Sequence, residues 1–248
     1  INDPNINIRG LDGTLSLSGK EINFNLDADL QYANLKNLHI ANSNLSLSGL
    51  FSLNFTGNNI DNFLGTARVY NAKLQNDSTA LSFDSLTLSS LMRADRKYLT
   101  LQSNEIDAEI SGKFTILDLP NTFKFFLSRY YPTYIKKPSY AVSNQDFTFN
   151  IKTKEIEQYI RLFDSRLKGF NNSAVRGNLN LANNELMVNA TVPDFEYDGR
   201  RFTNVVLQGT GNRDTLKTNL AVDDIVISDS LHFPGTHLEV TANNDVSL

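Results

Sequence analysis

Apolar and polar residues alternate over long stretches of this chain. The clearest run is Ile22-Asn23-Phe24-Asn25-Leu26-Asp27-Ala28-Asp29-Leu30-Gln31-Tyr32. Successive side chains of a strand point to opposite faces, so Ile22, Phe24, Leu26, Ala28, Leu30 and Tyr32 would share one face and the Asn, Asp and Gln residues the other. At about 3.3 Å per residue such a strand would run roughly 36 Å, well beyond the usual length. The two-residue period returns at Leu45/Leu47, Leu86/Leu88, Ile106/Ala108/Ile110, Phe147/Phe149/Ile151, Leu179/Leu181, Leu186/Val188/Ala190/Val192, Val205/Leu207 and Leu220/Val222. Turn-forming residues punctuate these runs: Asp12-Gly13, Gly57-Asn58-Asn59, Asn76-Asp77-Ser78, Asn183-Asn184, Asp198-Gly199, Gly211-Asn212 and Asn243-Asn244. Strands joined by short turns pair antiparallel, because parallel pairing needs a long crossover.

Two stretches switch to the helical period. Phe123, Phe126, Leu127 and Tyr130 fall at i, i+3, i+4 and i+7, with Pro120 near the start and Pro132 as a stop, which predicts a helix over 119–131. Ile156, Tyr159, Ile160 and Phe163 repeat the spacing and predict a second helix over 154–164, with Thr153 as its N-cap. The pattern therefore predicts a mainly β chain, an elongated antiparallel sheet with two short amphipathic helices. A faint repeat pairs Phe83, Leu86, Leu88 and Ile106 with Phe202, Val205, Leu207 and Ile225, each at an offset of 119. It suggests a first β module over 1–116, a helix-containing insert with one strand over 117–165, and a second β module over 166–248 that continues the same sheet. Each half-apolar sheet face must be covered. A second sheet gives a sandwich, closure gives a barrel, and curling gives an open trough that holds something else, such as acyl chains. Periodicity is compatible with all three.

Composition narrows the function classes. The net charge of the 248 residues is −4, with both signs dispersed, so no basic block points to nucleic acid or to an anionic membrane surface. Cysteine is absent, which removes disulfides, thiolate catalysis and cysteine-bound metals. No run approaches the roughly 18 apolar residues of a spanning helix. The chain opens on Ile1, so it is expected to be a fragment or a processed product, with any membrane anchor elsewhere. No nucleophile elbow, phosphate-binding loop or dinucleotide fingerprint occurs. His232 and His237 stand five apart and are expected on opposite faces of a strand. Of the acidic pairs Asp27/Asp29, Asp107/Glu109 and Asp223/Asp224, the first two lie where the solvent face of an alternating strand should be polar, which fits better than a glycosidase pair or a calcium loop. No catalytic residue, metal ligand or cofactor is expected, and no enzyme activity. The aromatic cluster Phe123, Phe125, Phe126, Tyr130, Tyr131 and Tyr134 reads either as a core-packing helix or as a helix capping an apolar groove.

Three features together resemble the TamB/AsmA-like envelope family, in its Bacteroidota form. They are Gly57-Asn58-Asn59-Ile60-Asp61-Asn62-Phe63-Leu64-Gly65-Thr66-Ala67, Leu81-Ser82-Phe83-Asp84-Ser85-Leu86-Thr87-Leu88, and Ile106-Asp107-Ala108-Glu109-Ile110-Ser111-Gly112-Lys113-Phe114 leading to Leu119-Pro120. The resemblance implies a curled, open β-groove in the periplasm, anchored to the inner membrane by a segment outside these residues. It also implies phospholipid transport to, or assembly of, the outer membrane. The implied partners are phospholipid acyl chains and, through regions outside these residues, an outer-membrane β-barrel assembly protein. The residues expected to line the groove are Ile22, Phe24, Leu26, Leu30, Ile106, Ile110, Phe147 and Phe149. The competing expectation is a structural or adhesive cell-surface β-sandwich that binds protein or glycan through its loops.

Overall fold

The computed structural model describes residues 1–17, 22–39, 44–59, 61–76, 80–142, 145–243 and 246–247. The turn signals at Asp77-Ser78 and Asn244, and Ile60 of the first family-like segment, lie outside the described residues. The chain divides into two compact units, Ile1–Met92 with Leu99–Asp107, and Arg93–Tyr98 with Ala108–Leu248. The fold class is as expected: mainly β, open antiparallel sheet, with two short helices.

In the first unit the strands β1 (Asn2–Asp3), β2 (Ile6–Ser16), β3 (Asn23–Asn34), β4 (Ser46–Thr56), β5 (Leu64–Gln75) and β6 (Ala80–Arg93) pair antiparallel in chain order. β7 (Arg96–Ser103) and β8 (Ile106–Lys113) divide between the units. In the second, β9 (Asp146–Thr153), β11 (Ala174–Asn180), β12 (Glu185–Tyr197), β13 (Arg200–Gly211), β14 (Leu216–Ser228), β15 (Leu231–Asn243) and β16 (Val246–Ser247) are successive neighbours, and the short β10 (Leu167–Gly169) pairs with β12.

One expected turn is a strand interior. Asp12-Gly13 lies inside β2, with Asp12 opposite Asp27 and Gly13 opposite Leu26. Gly13 has φ +134°, and a Cβ there would stand 2.2 Å from the Asn25 carbonyl oxygen. The glycine serves a close approach of two backbones, which is the other use of glycine in a strand. The expected turns at Gly57-Asn58-Asn59, Asn183-Asn184, Asp198-Gly199 and Gly211-Asn212 all fall between strands or at a strand end.

Strict alternation breaks at one level in each unit. The apolar spacing widens from two to three between Ile8 and Leu11 on β2, Leu30 and Ala33 on β3, Val69 and Ala72 on β5, and Phe83 and Leu86 on β6. In the second unit the same step occurs between Val192 and Phe195, Phe202 and Val205, Val222 and Ile225, and Phe233 and Thr236. Register shifts mark the step at Ile8/Gly10, Leu30/Ala33 and Ser48/Leu50. Asn71 (φ 48°), Asn204 (φ 48°) and Gly235 (φ 62°) take left-handed backbone there, a conformation open to Asn and Gly. The extra residue keeps apolar side chains on one face across the irregularity. The repeat at offset 119 reflects this step on β6 and β13. It does not extend to a module, because Ile106 stands on β8 whereas Ile225 stands on β14, the direct neighbour of β13.

The helices are shorter than their periodicity. α1 (Leu119–Leu127) carries Pro120 in its first turn and follows a 3-10 turn at Ile116–Asp118. It ends four residues before 131 because the chain tightens: the Arg129 and Tyr130 amides donate only three residues back, to Phe126 O and Leu127 O, at 3.3 and 3.0 Å. α2 (Glu157–Phe163) is capped from a distance, since Asn171 Oδ1 accepts the Ile156 and Glu157 amides at 2.8 and 3.1 Å. Thr153, the expected cap, is the last residue of β9, and its hydroxyl accepts the Ser173 amide at 2.8 Å.

Candidate apolar sheet face

In the first unit the pairing register assembles three cross-strand rows on one face. The first runs Leu15, Phe24, Phe55, Gly65 and Ser90; the second Gly13, Leu26, Leu53, Ala67 and Leu88; the third Leu11, Ala28, Phe51, Val69 and Leu86. The opposite face carries Thr14, Asn25, Asn54, Thr66 and Ser89 in one row and Asp12, Asp27, Ser52, Arg68 and Thr87 in the next. Packed rings stiffen one end of the apolar face, with Phe24 stacked on Phe55 at a centroid distance of 4.4 Å and Phe63 tilted against Phe55 at 4.8 Å. The second and third rows bring no polar side chain to this face.

Among the described residues of this unit, no helix lies over these three rows. Phe24, Leu26, Ala28, Phe51, Leu53, Phe55, Ala67, Val69, Leu86 and Leu88 are all only partly buried, while Leu11 and Leu15 at the β2 edge are exposed. The fully buried apolar residues of this unit are Ala33, Phe63, Ala72 and Leu81, none of which belongs to the three rows. Strands lie about 4.8 Å apart, so the apolar surface from β3 to β6 is roughly 14 Å wide.

The second unit treats its equivalent face differently. Phe147, Leu179, Leu186, Gly211, Leu216 and Ala242 form one row across β9, β11, β12, β13, β14 and β15. α1 and the turn that follows it lie on that row with Phe126 (0% exposed) and Tyr130 (1% exposed), and the two join its residues in a single buried cluster. Phe123 packs edge-on to both Phe147 and Phe149, at 6.1 and 5.9 Å. The Tyr130 hydroxyl donates to Asn212 O, and burial holds this phenol above its ordinary value of 10. Away from α1 the next rows open progressively: Val188 and Ala190 are half-buried, and Leu238 is 51% exposed.

The eight expected groove residues are therefore divided. Ile22, Phe24, Leu26, Leu30 and Ile106 belong to the first unit, where all are partly buried. Ile110, Phe147 and Phe149 belong to the second. There the expectation of an open face is corrected: Phe147 is 1% exposed beneath the α1 rings, and Ile110 and Phe149 pack against the same cluster. The aromatic helix is thus a cap on its own sheet, with Phe126 and Tyr130 inward and Tyr134 82% exposed. Phe51, Leu53, Phe55 and Val69 are apolar-face residues missing from the expected set. Their signal was present, since Leu47-Ser48-Gly49-Leu50-Phe51-Ser52-Leu53-Asn54-Phe55 continues the alternation of Leu45 and Leu47.

Polar candidates resolve into structural roles. Asp29 accepts from Arg9 Nε at 2.7 Å, and Asp223 accepts from Asn204 Nδ2 at 2.8 Å beside the phase step. His232 and His237 are not on opposite faces. Val226 and Ala221, their partners on β14, both flank apolar-face residues, and the step between Phe233 and Thr236 restores the polar side to both histidines. His232 Nδ1 lies 3.3 Å from Asp224 Oδ1. Among the described residues, no group of three or more His, Cys, Asp or Glu side chains is placed to hold a metal ion. No family model, curated protein or solved structure matches this chain.

Proposed function

We propose that the chain is a lipid-bearing segment of a cell-envelope protein, and that the apolar face of the first unit carries acyl chains. One observation supports this above the others: from β3 to β6 two adjacent rows of Phe, Leu, Val and Ala stand partly buried on a face over which the described residues of this unit place no helix. Apolar patches beyond a few hundred Å² are uncommon on soluble monomers and mark interaction or ligand surfaces. The two inner rows offer no hydrogen-bonding side chain, which suits a hydrocarbon rather than a ligand needing polar recognition. Each methylene withdrawn from water contributes about 0.8 kcal/mol, so a partly shielded tail is held appreciably. A face of similar side chains from row to row has no single deep minimum, which permits sliding along it. In this reading, which the likeness to TamB/AsmA-like proteins supports, such a segment stands in the periplasm, tethered to the inner membrane from outside these residues, in a route for phospholipid to the outer membrane. No enzyme chemistry, cofactor or nucleic acid enters this proposal.

The test is photo-crosslinking from introduced benzoylphenylalanine at positions 26, 53 and 25 in the protein purified from membranes. Adducts with phospholipid are expected from positions 26 and 53 and not from 25, which lies on the polar face. Adducts absent from all three positions, or equally abundant at 25, would remove the proposal.

A further inference from the structure

We propose that the cleft beside the C-terminal end of α1 binds a phosphate ester. Phe125, Arg129, Pro132, Ile135, Lys136 and Lys137 line a cavity of about 400 Å³ that contains no carboxylate. Two of its cations are drawn to one ring: the Arg129 guanidinium carbon lies 5.1 Å and the Lys137 ammonium 5.0 Å from the Phe125 centroid. Like charges gathered at one aromatic side chain repel, and the ring quadrupole offsets only part of that. Elsewhere in this unit clustered cations meet acids, as Lys113 does Asp95, Lys168 does Glu196 and Arg201 does Asp194. Among the described residues no carboxylate lies within ion-pair distance of Arg129, Lys136 or Lys137.

The helix end does not account for the cluster. Cations near a helix C-terminus ordinarily serve its unpaired carbonyls. Here the carbonyls of Lys124, Phe126 and Leu127 already accept backbone amides of Ser128, Arg129 and Tyr130, at 2.9, 3.3 and 3.0 Å. The Phe125 carbonyl accepts the Ser128 hydroxyl at 2.9 Å. Arg129 is half-buried and held in place by donating to a neutral group, Asn184 Oδ1. Its charge is thus oriented without a carboxylate in ion-pair contact, and Asp146, on the wall of the adjoining cavity, is paired with Arg96 at 3.7 Å. The guanidinium fork and two ammonium groups match the three terminal oxygens of a phosphate. Phe125, Pro132 and Ile135 supply an apolar wall for the carbon on the ester side.

This site is separate from the apolar face of the first unit, and either can hold when the other fails. Two sources share the ligand chemistry, a soluble phosphate ester and a phospholipid headgroup. The probes are sn-glycerol 3-phosphate and vesicles containing phosphatidic acid, with phosphatidylcholine vesicles, whose phosphate is a diester, as control, titrated into the whole chain. Binding is read from the amide resonances of Ser128, Arg129, Lys136 and Lys137. The exposed pair Lys136→Gln/Lys137→Gln is expected to weaken binding roughly tenfold without changing the fold, and Arg129→Gln to weaken it further. Lys152→Gln/Lys217→Gln, on other strands, is expected to leave it unchanged. Glycerol 3-phosphate binding with this pattern assigns a soluble ester. Binding confined to phosphatidic acid vesicles with this pattern assigns the headgroup. No shift with either probe, or binding that survives Lys136→Gln/Lys137→Gln, overturns the proposal.

Discussion

The row Phe147, Leu179, Leu186, Gly211, Leu216, Ala242 and the row Gly13, Leu26, Leu53, Ala67, Leu88 arise from the same alternation. They meet different ends. Leu179 is 0% exposed beneath α1, whereas Leu26 is only partly buried. The strands themselves do not decide this. Cover is supplied in the second unit by a helix whose rings fit one row, and by Gly211, where a Cβ would lie 2.7 Å from the Phe126 ring. Among the described residues the first unit has no helix to do the same. A sheet face is a core only where the chain brings a complementary partner to it, and otherwise it is a surface offered to something else.

The sharpest way to break the comparison is to place a carboxylate in each row. Leu179→Asp buries a charge with no partner and is expected to cost several kcal/mol, enough to unfold a marginal unit. Leu26→Asp leaves its carboxylate within reach of water and is expected to cost about 1 kcal/mol, typical of a partly exposed site. Urea denaturation, followed by hydrogen exchange at β11 and β3, separates the two. Equal, large losses would mean that the first unit's face is packed in solution, as a sandwich would require.

Next in size is the cover itself. Phe126→Ala removes the ring that fills the space over Gly211 and is expected to cost about 3–5 kcal/mol. Gly211→Ala pushes a methyl into that ring and is expected to cost about 1–3 kcal/mol by overpacking. Gly209 lies two residues away on the same face, but a Cβ there meets only Val188 O, at 3.9 Å. Gly209→Ala is therefore expected to be nearly neutral. Because the clash in Gly211→Ala is with Phe126, the double variant Phe126→Ala/Gly211→Ala should cost less than the two single losses combined. Additive losses would show that α1 does not rest on this glycine.

How far the sequence reveals this follows from the range of each interaction. The strands around Phe24, Phe149 and Leu207 and the helix cores around Phe126 and Tyr159 are written in local periodicity, and they are where periodicity put them. Asp12-Gly13 misleads because the same dipeptide serves a turn or a close backbone approach, and only the partner strand at Asn25 distinguishes them. The Thr153 cap fails for a similar reason, since Asn171 reaches Ile156 and Glu157 from a later segment. The step from Phe202 to Val205 is visible as a spacing of three, yet its meaning depends on the same step recurring on β12 and β14. Which groove residues are covered is the least legible, because Phe126 meets Gly211 across 85 residues of chain.

The smallest effect tests whether the cover is dry. The Tyr130 hydroxyl donates to Asn212 O while its ring lies 1% exposed. Tyr130→Phe loses that bond and is expected to cost about 1 kcal/mol. Tyr134→Phe, at a residue 82% exposed, should cost nothing measurable. pH adds a second reading. Burial, with the nearby Asp214 charge assisting, raises the Tyr130 phenol above 10. A raised phenol means that the folded state holds its proton more tightly than the unfolded one. The stabilisation is then complete below the unfolded value near 10 and is lost as pH rises through the folded value. The stability advantage of the native protein over Tyr130→Phe should accordingly be constant from pH 6 to 9 and shrink above pH 10. Melting temperatures of the two proteins across that range decide it: an advantage that stays constant to pH 11 would mean that water reaches the phenol, and that α1 covers its row less completely than Phe126 and Tyr130 imply.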